Sequence, residues 1–62
     1  MNTDVLRKEF EDILTLEERA RNFYDHYIEQ VDDAELKKVL TSIRNDEKLH
    51  IMIAKTLIKC VS

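Results

Sequence analysis

The sequence predicts an all-α protein in which two helices form an antiparallel hairpin and two hairpins dimerise into a four-helix bundle, as a homodimer or within a higher homo-oligomer. The 62 residues contain no glycine and no proline, and 37% of them are charged. This composition favours long, uninterrupted helices. Apolar residues recur at steps of three and four along both halves of the chain, which is the period of a helix with one buried side. A chain of this length buries little apolar surface alone, so we expect a metal or a second copy to complete its core.

The first helix is expected over about residues 3–30, with Asn2, Thr3 or Asp4 as its N-cap. We call the core-facing positions of a helix its ladder. The ladder of this helix is Leu6, Phe10, Ile13, Glu17, Ala20, Tyr24, Tyr27 and Val31. Glu17 interrupts it, because the helical period requires an apolar side chain at that position. The opposite side reads as solvated surface and carries Lys8, Glu11, Glu18, Arg19, Asp25 and Glu29.

The turn is expected at about residues 31–33. Asp32 followed three residues later by Glu35 makes a weak capping box, and Asp33 is an alternative cap. Because the connection is short, the two helices must pack antiparallel. The break contains neither glycine nor proline, so one continuous helix is the alternative.

The second helix is expected over about residues 34–59. Its ladder is Leu36, Leu40, Ile43, Glu47, His50, Ala54, Leu57 and Val61. Glu47 and His50 are polar side chains at positions where the period requires apolar ones. The apolar run at residues 51–53 makes this helix apolar on more than one side, and a partner hairpin would cover that surface.

The three polar ladder residues are expected to lie at one level of the core. Glu17 lies fifteen residues before Asp32 and Glu47 lies fifteen after it, which places each about 22 Å from the turn at ~1.5 Å per residue. His50 lies one helical turn beyond Glu47 on the same side. Two hairpins would supply four glutamates and two histidines, which is the ligand set of di-iron and di-manganese carboxylate bundles. The pattern therefore predicts a metal site between two chains.

The same residues resemble a known family. Residues 17–24, Glu-Glu-Arg-Ala-Arg-Asn-Phe-Tyr, resemble the E-x-x-A-x-x-x-Y motif in the first helix of rubrerythrin-like members of the ferritin-like superfamily. The segment from Glu35 to the Glu47-x-x-His50 step resembles the second helix of encapsulated ferritins. The resemblance covers about residues 10–58 and implies a ferritin-like half-bundle that dimerises around a di-iron centre.

The resemblance also implies an activity, that of a non-haem di-iron oxidoreductase that oxidises ferrous iron with dioxygen or peroxide, as a ferroxidase does. It implies two irons per dimer. The ligand types also suit manganese, which is the alternative metal. Glu17 would be a terminal or bridging ligand, Glu47 a bridging ligand and His50 a terminal nitrogen ligand. Tyr24 would donate a hydrogen bond close to the metals or act as a redox-active phenol, unless it is simply a packing residue.

The chain departs from the family in two respects. A rubrerythrin has both half-bundles and a cysteine-rich electron-transfer domain in one chain, whereas this sequence has one half and one cysteine, Cys60. A rubrerythrin-like peroxide scavenger would therefore need an external reductant. Encapsulated ferritins carry a C-terminal targeting tail, and this sequence ends at Ser62, which puts an encapsulin shell as a partner in doubt.

Alternatives from a different class are a metal-stabilised or metal-free dimerisation module without turnover. In the metal-free case the three polar ladder residues form a hydrogen-bonded or ion-paired network, and Arg44 pairs with Glu47, three residues away. Glu18 is an alternative ligand to Glu17, and His26 is expected at the surface.

Charge and hydropathy restrict the partners and the location. The formal charge of −3, with no basic patch, argues against nucleic acid as a partner. No apolar stretch approaches the ~20 residues of a membrane span, and the N-terminus lacks the apolar region of a secretory signal. We therefore expect a cytoplasmic protein with a reduced Cys60.

Overall fold

The computed structural model describes residues 2–62, and the described chain is all-helical. Helix α1 spans Thr3–Gln30, helix α2 spans Ala34–Cys60, and residues 31–33 connect them. The two helices pack against each other along their length, giving a hairpin that measures 47 × 13 × 13 Å. The prediction of an all-α hairpin is confirmed, and the alternative of one continuous helix is wrong. Helix α2 ends one residue later than expected. Neither helix contains a stretch apolar enough to cross a lipid bilayer.

Each helix begins at a side chain that accepts a hydrogen bond from an amide of the first turn. The Asn2 side chain accepts a bond of 2.8 Å from the backbone N–H of Asp4. At the second helix, the Asp33 carboxylate accepts a bond of 2.7 Å from the backbone N–H of Leu36. Asp33, rather than Asp32, is therefore the cap that begins α2.

Removing this cap is expected to destabilise the hairpin. In Asp33→Ala the first-turn amides of α2 lose their acceptor, which lowers the free energy of unfolding by about 1 kcal/mol. Urea unfolding followed by circular dichroism measures the change. Asp32→Ala is the matched control, because it removes the same charge one residue earlier without removing a capping bond. An equal loss in both variants would show that the capping bond contributes nothing.

The hairpin contact follows one row of residues on each helix, and both rows advance by steps of four and three. On α1 the half-buried row is Leu6, Phe10, Leu14, Glu17, Arg21, Tyr24, Ile28 and Val31. On α2 the covered row is Leu40, Arg44, Glu47, Ile51, Ala54, Ile58 and Val61. Ile51 and Ala54 are the most deeply buried members, with 5% and 2% of their surface exposed.

The expected ladders follow this contact only in part, and the rest of each ladder lies beside it. On α1, Leu14 and Ile28 are half-buried, whereas the ladder residues Ile13 and Tyr27 each remain 43% exposed. On α2 the ladder residue Leu36 is also exposed. The reason is geometric, since a hairpin covers only the side of each helix that faces the other helix.

The two sides of the hairpin differ in character. The first, which we call the apolar face, carries Ile13, Leu16, Ala20, Phe23 and Tyr27 from α1 and Leu36, Val39, Ile43, Ile53 and Leu57 from α2. Ile13 of α1 lines the same groove as Ile53 and Leu57 of α2. The apolar residues of the two helices therefore lie on the same side of the hairpin.

The second side, the charged face, carries Glu11, Glu18 and Asp25 from α1 and Arg44, Lys48 and Lys55 from α2. The acids named here come from α1 and the bases from α2, and Glu11 also pairs with Arg7 of its own helix. An ion pair of 2.7 Å joins Arg44 to Asp25 on this face.

Candidate metal centre

The hairpin brings Glu17, Glu47 and His50 together. One possible ligand atom from each residue lies within 4.8 Å of those of the other two. We call these residues the ligand cluster. Within residues 2–62 they are the one group of three or more acidic, histidine or cysteine side chains with this spacing. The structure therefore brings together the three residues that counting from the turn placed at one level.

Each member of the ligand cluster is held by its position on a helix. Glu17 and Glu47 lie in the rows of the hairpin contact and are half-buried. His50 lies one turn beyond Glu47, at the edge where α2 meets the apolar face, and it is exposed. Its Nδ1 atom lies 3.2 Å from the Glu17 Oε2 atom, within hydrogen-bond distance. Donor atoms from both helices thus converge from two directions.

The carboxyl of Glu47 has a pKa above the ordinary value for glutamate. The largest cause is the hydrogen bond that its protonated form shares with Glu17. Partial burial and the negative charge of Glu17 raise the pKa of Glu47 further, while the nearby imidazole of His50 opposes the shift. Two carboxylates this close resist being charged together unless a cation lies between them. The fold therefore favours the protonated form of Glu47, whereas a bound metal ion would favour the deprotonated form.

This shift predicts how the stability of the metal-free protein depends on pH. The fold favours the protonated form of Glu47, so its stabilising contribution is fully present below the ordinary pKa of glutamate. The contribution is lost as the pH rises through the raised pKa of the folded state. Thermal unfolding of the metal-free protein between about pH 4 and about pH 7 should show this loss, and Glu47→Gln should reduce it. An unchanged pH profile in that variant would contradict the assignment.

Metal binding should have the opposite pH dependence. A metal ion binds the deprotonated carboxylate, so the affinity should fall as the pH is lowered through the raised pKa of Glu47. Calorimetric titrations over a series of pH values would measure this fall in affinity. A pH dependence that is the same in Glu47→Gln would mean that Glu47 is not a ligand.

The ligand cluster opens onto the apolar face. Glu17 and His50 line one side of an open groove of about 180 Å³, and Ile13, Ile53, Ala54 and Leu57 complete its walls. Two carboxylates and one imidazole are donors suited to iron or manganese. Three donors leave several positions free on an ion that takes about six ligands. The residues of one hairpin therefore fit an incomplete set of ligands for such an ion.

Tyr24 does not join the ligand cluster. It is half-buried and lies two helical turns from Glu17 along α1, and its ring packs edge-on against Phe23 with 5.3 Å between the ring centroids. Its redox role stays a prediction. Glu18 is half-buried and falls on the charged face, outside the cluster, while His26 is exposed as expected.

The sequence interpretation missed the side chains that surround Arg44. Arg44 does not pair with Glu47, because its Nη1 atom donates a hydrogen bond of 2.7 Å to the Asp25 carboxylate. Its Nε atom donates a second bond of 3.0 Å to the side-chain oxygen of Asn45. Asp25 is half-buried and is therefore not part of the solvated surface assigned to it. The sequence did contain a sign of a local partner for each arginine. An Arg-Asn dipeptide occurs in each helix, at Arg21 and at Arg44, and in both the asparagine accepts a hydrogen bond from the guanidinium.

No protein-family model matches the chain, and searches of the curated proteins and of the solved structures find no match. The ferritin-like resemblance therefore stays a prediction. The ligand cluster and the apolar and charged faces beside it are the features that bear on function.

Proposed function

We propose that this protein is a ferroxidase-like, non-haem di-iron oxidoreductase whose metal centre is built between two copies of the hairpin. The observation that carries the proposal is the ligand cluster. Two carboxylates and an imidazole from two helices lie within 4.8 Å of one another, at the edge of an uncovered apolar face. An isolated pair of half-buried carboxylates is unfavourable, and a metal cation removes the repulsion between them.

The donor inventory of two copies supports a centre with two metal ions. Two hairpins contribute four glutamates and two histidines, which is the set used by carboxylate-bridged di-iron and di-manganese bundles. Four carboxylates balance the charge of two divalent ions. Manganese fits the same donors. The ligand types therefore do not distinguish iron from manganese, and a metal-binding measurement is needed to do so.

The apolar face supports a second copy as the partner. Its large apolar side chains are exposed in one hairpin, among them Phe23 at 55% and Val39 at 48%. On each helix, the ladder residues that lie outside the hairpin contact are on the side of this face. This is the arrangement expected when each helix contacts two neighbours around a common core. The opposite face carries charged side chains of both signs, which are suited to contact with solvent. A dimer through the apolar face would therefore give a four-helix bundle.

A two-fold axis parallel to the helices would bring the two ligand clusters together. Under such an axis, α1 of one copy lies against α2 of the other in an antiparallel direction, and both clusters stay at the same level along the bundle. His50, which lies at the edge of the apolar face, would then point toward the partner. The site would be incomplete without the second copy.

Ferrous iron is the substrate of the proposed reaction. Two ferrous ions give up one electron each, and these two electrons with two protons reduce dioxygen to hydrogen peroxide or reduce hydrogen peroxide to two waters. The chain itself holds the ions with Glu17, Glu47 and His50. The apolar groove limits the water that reaches the bound ions.

Rapid mixing tests this activity. Protein loaded with ferrous iron without oxygen is mixed with aerated buffer or with peroxide, and near-ultraviolet absorbance follows the appearance of ferric iron. We expect oxidation at least about tenfold faster than that of the same iron in buffer, recurring with each fresh addition of iron. Oxidation at the buffer rate would refute the ferroxidase activity. A faster reaction with peroxide, sustained by an added reductant, would favour the peroxide scavenger.

A metal-stabilised dimerisation module without turnover is the second candidate. The apolar side chains around the groove favour it, because Ile13, Ile53 and Leu57 could exclude the oxidant once a partner covers them. In that case iron binds at full stoichiometry and stays ferrous in air.

A further inference from the structure

An arginine lies one helical turn from each carboxylate of the ligand cluster. Arg21 follows Glu17 by four residues and Arg44 precedes Glu47 by three. Residues at these spacings are neighbours on a helix surface, and an arginine so placed ordinarily pairs with the acid. Both arginines are half-buried in the hairpin contact, where the attraction between unlike charges is stronger than in water.

Neither guanidinium reaches the cluster. The Arg21 guanidinium donates two hydrogen bonds, of 3.3 and 3.0 Å, to the side-chain oxygen of Asn22. The Arg44 guanidinium donates one hydrogen bond, of 3.0 Å, to the side-chain oxygen of Asn45 and another, of 2.7 Å, to Asp25 across the hairpin. The Asp25–Arg44 and Glu17–His50 pairs both join α1 to α2 through polar atoms, as does the hydrogen bond that protonated Glu47 shares with Glu17.

We propose that Asp25 is a positioning residue that holds Arg44 away from Glu47 and so leaves this carboxylate free to bind metal. The inference rests on the proposed metal centre and extends it to a residue on the other helix. A guanidinium and a metal ion compete for the same carboxylate oxygens, since each is a cation that binds them directly. Asp25 offers Arg44 a carboxylate on the charged face, at 2.7 Å, with no role in the ligand cluster.

Substitution at the two positions separates this role from simple stabilisation of the hairpin. In Asp25→Ala, Arg44 loses its partner and turns to Glu47, so the dissociation constant for ferrous iron should rise by about tenfold. In the double variant Asp25→Ala with Arg44→Gln, no guanidinium remains to compete, and the affinity should return to within about twofold of the original. Glu29→Ala is the matched control, because it removes an exposed acid of the same helix without releasing Arg44, and its affinity should not change.

Anaerobic calorimetric titration with ferrous iron gives the dissociation constants of the unmodified protein, of these three variants and of Arg44→Gln alone, and circular dichroism confirms that each variant is helical. A double variant that binds as weakly as Asp25→Ala, with Arg44→Gln alone equally weak, would overturn the inference in favour of a structural ion pair. Unchanged affinity in Asp25→Ala would also overturn it while leaving the metal centre in place. Failure of the unmodified protein to bind iron would overturn both proposals.

Discussion

Replacing Glu47 with alanine is expected to abolish the binding of two metal ions per dimer while leaving the helical content unchanged. Glu47 is half-buried at the centre of the ligand cluster, and in the proposed dimer its carboxylate would bridge the two ions. The variant dimer lacks both copies of this carboxylate, so each ion would lose two donors and the dimer would lose two negative charges. Alanine is the strongest helix former, and the raised pKa of Glu47 shows that its charge does not favour the fold.

Asp46→Ala is the matched control for this variant. Asp46 is the exposed neighbour of Glu47 on the same helix and lies outside the ligand cluster, so the same loss of charge should leave the stoichiometry at two. Equilibrium dialysis with metal analysis measures both variants. His50→Ala should weaken binding less completely, because both glutamates remain. Binding of two metal ions per dimer by Glu47→Ala would show that the site assignment is wrong.

The second large effect is expected at the apolar face. In Val39→Glu a carboxylate replaces an exposed valine that the proposed dimer buries, eight residues before Glu47 along α2. Burying an unpaired carboxylate costs several kcal/mol, so the dimer dissociation constant should rise by at least about a hundredfold. The hairpin itself should stay folded, since Val39 lies outside its contact.

Analytical ultracentrifugation of the metal-free variants measures this change. Leu49→Glu is the control, because Leu49 is exposed to nearly the same degree, 50% against 48% for Val39, but lies on the outer side of α2. It should dimerise as the original protein does. If both variants dimerise normally, the apolar face is not the interface, and if Leu49→Glu alone dissociates, the interface lies on the outer side of α2.

The helices were predictable from the sequence because local signals define them. The alternating steps of three and four, together with the absence of glycine and proline, indicate two long helices, and the acids near residue 32 indicate the turn. Of the two candidate caps, Asp33 is the one used, and sequence alone does not distinguish neighbouring aspartates that can each accept the same amide bond. The level of Glu17, Glu47 and His50 followed from simple counting from the turn.

The contact side of each helix was harder to predict. The helices carry apolar residues over more than the width of one contact, so Ile13 and Leu14 were equally good candidates for burial. Which of them faces α2 depends on the rotation of the whole helix, and Leu14 is the more covered. The pairing of Arg44 with Asp25 was missed for a related reason. A local partner such as Glu47 is visible in the sequence, whereas a partner on another helix depends on the rotation of both.

Native mass spectrometry of protein titrated anaerobically with ferrous iron tests the central claim most directly, because it reports chains and metal ions in the same particle. The proposed centre predicts a species with two chains and two irons at saturation, absent in Glu47→Ala and retained in Asp46→Ala. Dimers that carry no iron, or iron carried equally well by single chains, would contradict a metal centre built between two copies.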